Sequence, residues 1–247
     1  MFEDLYPVTT VLEPVPREEV DRLAKDYDIE LPLGYREFLE QYGPGVVCDF
    51  LEIYSPEKAR TMHHTMSSLL CSDLFDGNRE FWTQLNVTFE QFIRAFCVIS
   101  TDQTGYYLSI PEHGSVAFEV WGGSVVAHPT GLPGIILAVS KSFAMEFPYF
   151  EPTKPQWSFA SHFLRPGLDF EEFLASIHTH WGSGVRRLHS EEDDYAVTVF
   201  SRPVQGKFVC YRESGLHQPE PFSFQVNVFC DEEHVPTIND FLAGFER

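Results

Sequence analysis

The chain has 247 residues, 43% of them apolar and 15% aromatic, enough to bury a substantial core as one large domain or a domain with an appendage, and too apolar for disorder. A formal charge of -20 and a pI near 4.7 speak against nucleic acid as a direct partner, because phosphate backbones are held by clustered lysine and arginine. The electrostatic complement of such a chain is a basic protein.

In chain order, the first predicted element is "PREEVDRLAKDYDI", where Val20, Leu23, Ala24 and Tyr27 recur at helical spacing and Glu18 and Glu19 favour the positive helix end. A brief corner leads into "LPLGYREFLEQYGPG". Tyr35, Phe38, Leu39 and Tyr42 form one stripe of a second helix, Pro32 sits near its start, and Gly43-Pro44 ends it. The glycine turn follows a helix instead of opening one, so it is a stop signal and not a phosphate cradle.

A polar insertion follows, running from His63-His64 through "CSDLFDGNREFWTQL". The two histidines are expected on its surface. Asp73, Asp76, Phe75, Phe81 and Trp82 mix charge with aromatic anchors of the kind enriched at binding hot spots, with burial in the core the expectation for Phe81 and Trp82 and the anchor role its alternative.

Three later segments share one design: "TFEQFIRAF", "DFEEFLASI" and "TINDFLAGF". Each opens on an expected N-cap, Thr88, Asp169 or Thr237, with Gln91, Glu172 or Asp240 three residues on. The apolar sets Phe89, Phe92, Ile93, Phe96; Phe170, Phe173, Leu174, Ile177; and Ile238, Phe241, Leu242, Phe245 read as packing stripes. Between them lie β-branched and aromatic runs with turn signals: "FCVISTD", "GYYLSIP", "SVAFEVWG" and "SVVAHP", and later "YAVTVFSR", "KFVCYRES" and "FSFQVNVFCD". These predict meanders of antiparallel strands, and with the helices an α+β fold. The acidic "HSEEDD" after "WGSGVRR" marks the expected boundary, giving a domain at 12–181 and a strand-rich C-terminal extension, 182–247, that ends in a helix. Most of the acidity belongs to the first part, which holds 26 of the 37 carboxylates and 11 of the 17 basic residues.

"EEVDRLAKDYDIELPLGYREFLEQYGPG" resembles the N-terminal signature of the SUKH superfamily, a helix, a Leu-Pro corner, then Tyr-x-x-Phe-Leu and a glycine-rich turn. In that family a strand meander follows and a Phe-x-x-Phe-Leu helix closes the domain; here "TDQTGYYLSI", "VAFEVWGG" and "DFEEFLASI" stand in that order. The chain departs from the pattern in having Gly-Pro-Gly for Asn-Gly-Gly, no Gly-Asp before Tyr106, and the long insertion. The resemblance implies a mainly antiparallel sheet packed against helices, and binding in place of catalysis. Many bacterial members look like immunity proteins that neutralise polymorphic toxins acting in the cytosol, nucleases among them. Other relatives include a fungal cell-wall regulator, so an intracellular regulatory or scaffold protein without a toxin partner is the alternative.

The chemistry-bearing residues fit that reading. His178 and His180 with His162 and His189 invite a metal, but the "IHTHW" pair lies at a helix end, and "CDEEH" at 230–234 packs its ligand types too closely to converge on one ion. A solvated turn is expected there. No Gly-x-Ser-x-Gly, P-loop or His-Glu-x-x-His motif occurs. Cys48, Cys71, Cys97, Cys210 and Cys230 form no Cys-x-x-Cys pair, and Cys48, Cys71, Cys97 and Cys210 sit among apolar or aromatic neighbours, which suits reduced core thiols. No enzyme activity, metal or cofactor is expected. The start "MFEDLYPVTT" has no signal-peptide pattern and no apolar run spans a bilayer, so a cytoplasmic protein without a membrane partner is expected. The partner-binding candidates are Asp73, Asp76 and Trp82 in the insertion and the carboxylates Glu191, Glu192, Asp193 and Asp194, which can steer a basic toxin. The oligomeric state is left open by the sequence.

Overall fold

The computed structural model describes residues 2–66, 70, 72–101, 105–121, 123–145, 147–153, 158–165, 167–181, 184–189, 195–201, 203–212 and 224–246, with backbone alone at 184–189, 195–196 and 212. The chain divides into two compact units, one of Met1–Glu3 and Leu12–Val139, the other of Asp4–Val11 and Ser140–Arg247. Each combines helices with mainly antiparallel sheet, an α+β organisation. The short strand β1 (Tyr6–Pro7) belongs to the second unit.

In the first unit, α1 (Arg17–Asp26) buries Val20 and Leu23, and α2 (Tyr35–Gln41) buries Tyr35, Phe38 and Leu39, with Tyr42 buried just beyond it. The Tyr35 hydroxyl donates to the Tyr54 carbonyl at 2.7 Å, satisfying the one polar atom of a wholly buried ring. Gly43 ends the second helix at φ +80°, its N–H bonded to the Leu39 carbonyl. A Cβ there would lie 2.1 Å from the Glu13 carbonyl oxygen, so the glycine is required both by the turn and by close backbone approach. The turn is scaffold.

Six sheet strands of this unit follow: β2 (Gly45–Val47), β3 (Leu51–Ile53), β4 (Phe96–Thr101), β5 (Tyr106–Ser109), β6 (Ala117–Trp121) and β7 (Ser124–His128). Each is antiparallel to the next in sequence. Strand β4 is buried at every position, matching its unbroken apolar run. Strands β2 and β3, three residues each, are too short to show a period and were not expected from sequence. Between β3 and β4 the insertion folds into four helices, α3 (Pro56–Met66), α4 (Ser72–Gly77), α5 (Arg79–Gln84) and α6 (Phe89–Phe92). The capping box at Thr88 and Gln91 forms with both of its hydrogen bonds. The helix it starts is nevertheless one turn long, because Phe96 is drawn into β4.

Helix α7 (Gly131–Ser142) carries the chain across the 139/140 boundary. In the second unit β1 runs parallel to β8 (Tyr149–Pro152). A five-stranded antiparallel sheet has the order β10-β11-β12-β13-β9, with β9 at Ser158–Phe163, β10 at Gly184–His189, β11 at Tyr195–Ser201, β12 at Gly206–Arg212 and β13 at Gln225–Cys230. Helix α8 (Phe170–Trp181) and helix α9 (Val235–Leu242) pack on one face, burying Phe170, Phe173, Leu174 and Ile177 with Ile238 and Leu242 against Val197, Val199, Phe208, Val226 and Val228. Asp169 accepts from the Glu172 N–H at 2.9 Å as the expected cap. Helix α9 starts at Val235, not after Thr237: Pro236 sits in its first turn, where its fixed φ suits the helix start, and the cap position falls to His234.

The expected break at 181/182 falls inside this second unit, between α8 and β10. The reason is non-local pairing. Strand β9 is bonded along six register pairs to β13, and α8 packs against the strands that follow it, so a cut at 181 would separate partners of one sheet and one core.

Candidate functional site

The insertion builds the surface best suited to binding. Helix α4 meets α6 through Phe75, whose ring lies 5.3 Å from Phe89 and 5.5 Å from Phe92. Asn78, at the elbow between α4 and α5, donates to the Leu74 carbonyl at 3.0 Å and to the Gly123 carbonyl at 2.7 Å, tying the insertion to the turn between β6 and β7.

On the outside of this platform Asp73, Asp76, Glu80 and Glu90 are exposed. Asp76 pairs with Arg79, while Asp73, Glu80 and Glu90 have no ion-pair partner among the described residues. Beside them Phe89 and Ile93, one helical turn apart, are 42% and 43% exposed. Both residues read from sequence as part of a packing stripe. Only Phe92 and Phe96 of that stripe are buried, because the one-turn helix presents a single side to the core.

Of the two places expected for Trp82, core and partner-binding surface, it occupies the core. It is 0% exposed, its indole ringed by Phe75, Phe81, Phe92 and Phe118 at 5.0 to 6.2 Å, so it is a core residue that holds α5 down and not a surface anchor. Among the described residues its Nε1–H has no hydrogen-bond partner. Asp73 and Asp76 stand where the sequence reading put them, on the surface of the insertion. Glu191, Glu192, Asp193 and Asp194 lie outside the described residues.

His63 is a correction. It is half-buried, its ring 5.0 Å from Phe96 and 4.8 Å from Tyr27, because α3 packs on β4, and burial together with the neighbouring His64 pushes its pKa below the usual imidazole value. His64 is exposed.

Other titratable clusters are structural in geometry. His128 Nε2 lies 2.7 Å from Glu119 Oε2 across β6 and β7, and Tyr107 bonds to the same carboxylate, its hydroxyl pKa pushed up by burial and by that charge. The carboxylate orients the imidazole and fastens the edge strand to its neighbour. The sequence carries no local signal for this cluster, since three separate strands supply it. His162 Nδ1 lies 2.6 Å from Glu246, and His180 Nδ1 lies 3.0 Å from the Ser176 carbonyl within its own helix. Asp231 accepts from Thr9 and Thr10 at 3.3 and 3.4 Å at the start of the short turn that contains Glu232 and His234.

Among the described residues no group of three histidine, cysteine or acidic side chains is placed to hold a metal ion, and no helix is long and apolar enough to cross a membrane. Cys48, Cys97, Cys210 and Cys230 are buried and in no disulfide among the described residues; burial pushes the Cys97 thiol up to about 12 and Cys230 up to about 11, with the Asp231 charge adding to the latter. Thiolate chemistry is suppressed at both. A shallow apolar recess with no room for a water lies between β9, β13 and α9, lined by Ser158, Ala160, Val228, Cys230, Val235 and Ile238.

Comparison of the chain with protein-family models, with curated proteins and with solved structures finds no match.

Proposed function

We propose that the chain binds a basic protein through the α4–α6 surface and, as the SUKH resemblance implies, that this partner is a cytosol-acting toxin which the chain neutralises by covering its active surface. The observation that carries the reading is the pairing of carboxylates with no ion-pair partner among the described residues, Asp73, Glu80 and Glu90, with the half-exposed Phe89 and Ile93 on adjoining elements. Carboxylates attract and orient lysine and arginine on the partner, which raises the rate of encounter. Apolar side chains ringed by polar ones hold the complex once formed. A net charge of -20 supplies the long-range field behind both.

The test is co-expression with the product of the adjacent gene, scoring survival and measuring association across a salt series. Neutralising Asp73, Glu80 and Glu90 together should slow association by about three- to tenfold at low salt, with the difference fading as screening shortens the field to a few ångströms. Phe89→Ala with Ile93→Ala should speed dissociation instead. Absence of any protection would favour the regulatory alternative. Protection insensitive to these five residues would keep a toxin partner and reject this surface.

A further inference from the structure

Helix α3 is fastened to the rest of the first unit through His63. The imidazole stacks on Phe96 of β4 with ring centroids 5.0 Å apart and meets Tyr27, the residue that ends α1, edge-on at 4.8 Å. Tyr27 and Phe96 in turn touch each other at 4.4 Å. One cluster of three rings therefore joins α1, α3 and β4. Of its members the imidazole is the one whose ordinary titration falls near neutral pH.

The setting opposes a charge on that ring. Nδ1 is enclosed and makes no hydrogen bond among the described residues, so a proton placed there would be a buried donor without an acceptor. The carboxylates beside the cluster are already engaged: Asp26 of α1 pairs with Arg60 of α3 at 3.5 Å, and Asp28, just beyond α1, with Arg94 of the segment before β4 at 4.0 Å. His64, the next residue of α3, adds repulsion, and β4 presents the uncharged Phe96. The Ala95 carbonyl favours the charged ring, but burial outweighs it and the pKa falls.

We propose that His63 is a proton-operated latch: protonation of its ring frees α3 from β4 and α1 while the sheet of the first unit stays folded. The docked ring stays neutral more readily than the released one, so docking is strongest above the ordinary imidazole value of 6.5 and weakens as pH falls through that value toward the lower docked one. Between the two values the ratio of docked to released α3 falls by up to about tenfold per pH unit. Few other groups tie the helix down. Of its eleven residues Pro56, Ala59 and Met66 are buried, and its Lys58–Glu52 and Arg60–Asp26 pairs are open to solvent, where an ion pair contributes little. Local opening is accordingly within reach of a single protonation, whereas release of the fully buried β4 would require global unfolding.

The latch does not depend on partner binding and is tested on the full chain alone. Hydrogen exchange read by mass spectrometry at about pH 7.5 and 5.5, corrected for the intrinsic effect of pH on exchange, reports the opening of each element. Protection over Pro56–Met66 should fall about three- to tenfold toward acid while that of β4 and α2 holds. His63→Phe keeps a ring in the cluster and has nothing to protonate, so its α3 should be equally protected at both pH values. Asp26→Asn removes an ion pair without touching the ring; it should lower protection of α3 by the same factor at both, leaving the fall toward acid intact. Nuclear magnetic resonance titration of the parent chain adds a readout that needs no variant, with the His63 midpoint expected below 6.5. The proposal is overturned if protection is lost evenly across the first unit, if α3 loosens toward acid in His63→Phe as it does in the parent chain, or if His63 titrates at or above 6.5.

Discussion

Replacing Trp82 with alanine removes an indole that is 0% exposed and enclosed by four aromatic rings, at the point where α5 is pinned beneath the acidic surface. Loss of the buried ring and the cavity left behind should cost about 3 to 5 kcal/mol, a large part of the roughly 5 to 15 kcal/mol that holds a domain folded. Trp82→Phe is the informative partner. It also removes buried area, but it deletes the indole N–H that finds no acceptor, a group whose burial unpaired costs about 1 to 3 kcal/mol. The two terms oppose each other, so the phenylalanine variant should lie within about 1.5 kcal/mol of the parent chain. Urea unfolding followed by far-ultraviolet circular dichroism measures both without relying on the tryptophan as probe. If alanine costs less than about 1 kcal/mol, the indole is not in the core. Equal losses in the two variants would show that the N–H carries a hydrogen bond after all.

Two further outcomes follow from backbone geometry and protonation. Gly43→Ala should destabilise the first unit by about 2 kcal/mol or more, because φ is +80° and a Cβ meets the Glu13 carbonyl oxygen at 2.1 Å; a neutral effect in a thermal melt would mean that the turn relaxes freely. His63 stays neutral more readily in the folded chain than in the unfolded one, so its contribution is present above the ordinary imidazole value of 6.5 and is lost as pH falls through that value toward the lower folded one. Between about pH 7.5 and 5.5 the parent chain should therefore lose stability more steeply than His63→Gln, and parallel pH profiles of melting temperature would reject the burial.

The candidate site was half legible before any fold was known. Asp73 and Asp76 could be placed on a surface because short carboxylates in a polar insertion have nowhere else to go, and they are exposed. Phe89 and Ile93, expected in a packing stripe, are open, while Trp82 takes the buried one of its two expected places. Their identities do not differ enough to decide this. The outcome depends on Phe75, Phe92 and Phe118 arriving from three other elements to enclose one indole and leave a one-turn helix half uncovered.

The sequence by itself determined the local structure wherever the period was long and the punctuation strong. The stripes of α2 and α8 are buried residue for residue, the Thr88–Gln91 capping box forms, Asp169 caps α8, and Gly43 stops its helix, because each is set by spacing and by hydrogen bonds within a few residues. Only the tertiary structure decided which strands are neighbours. The pairing of β9 with β13, more than sixty residues apart, puts the expected break at 181 between partners of one sheet. An apolar period states that one face of an element will be covered; what covers it is fixed by contacts between distant residues, and these leave no mark on either segment alone.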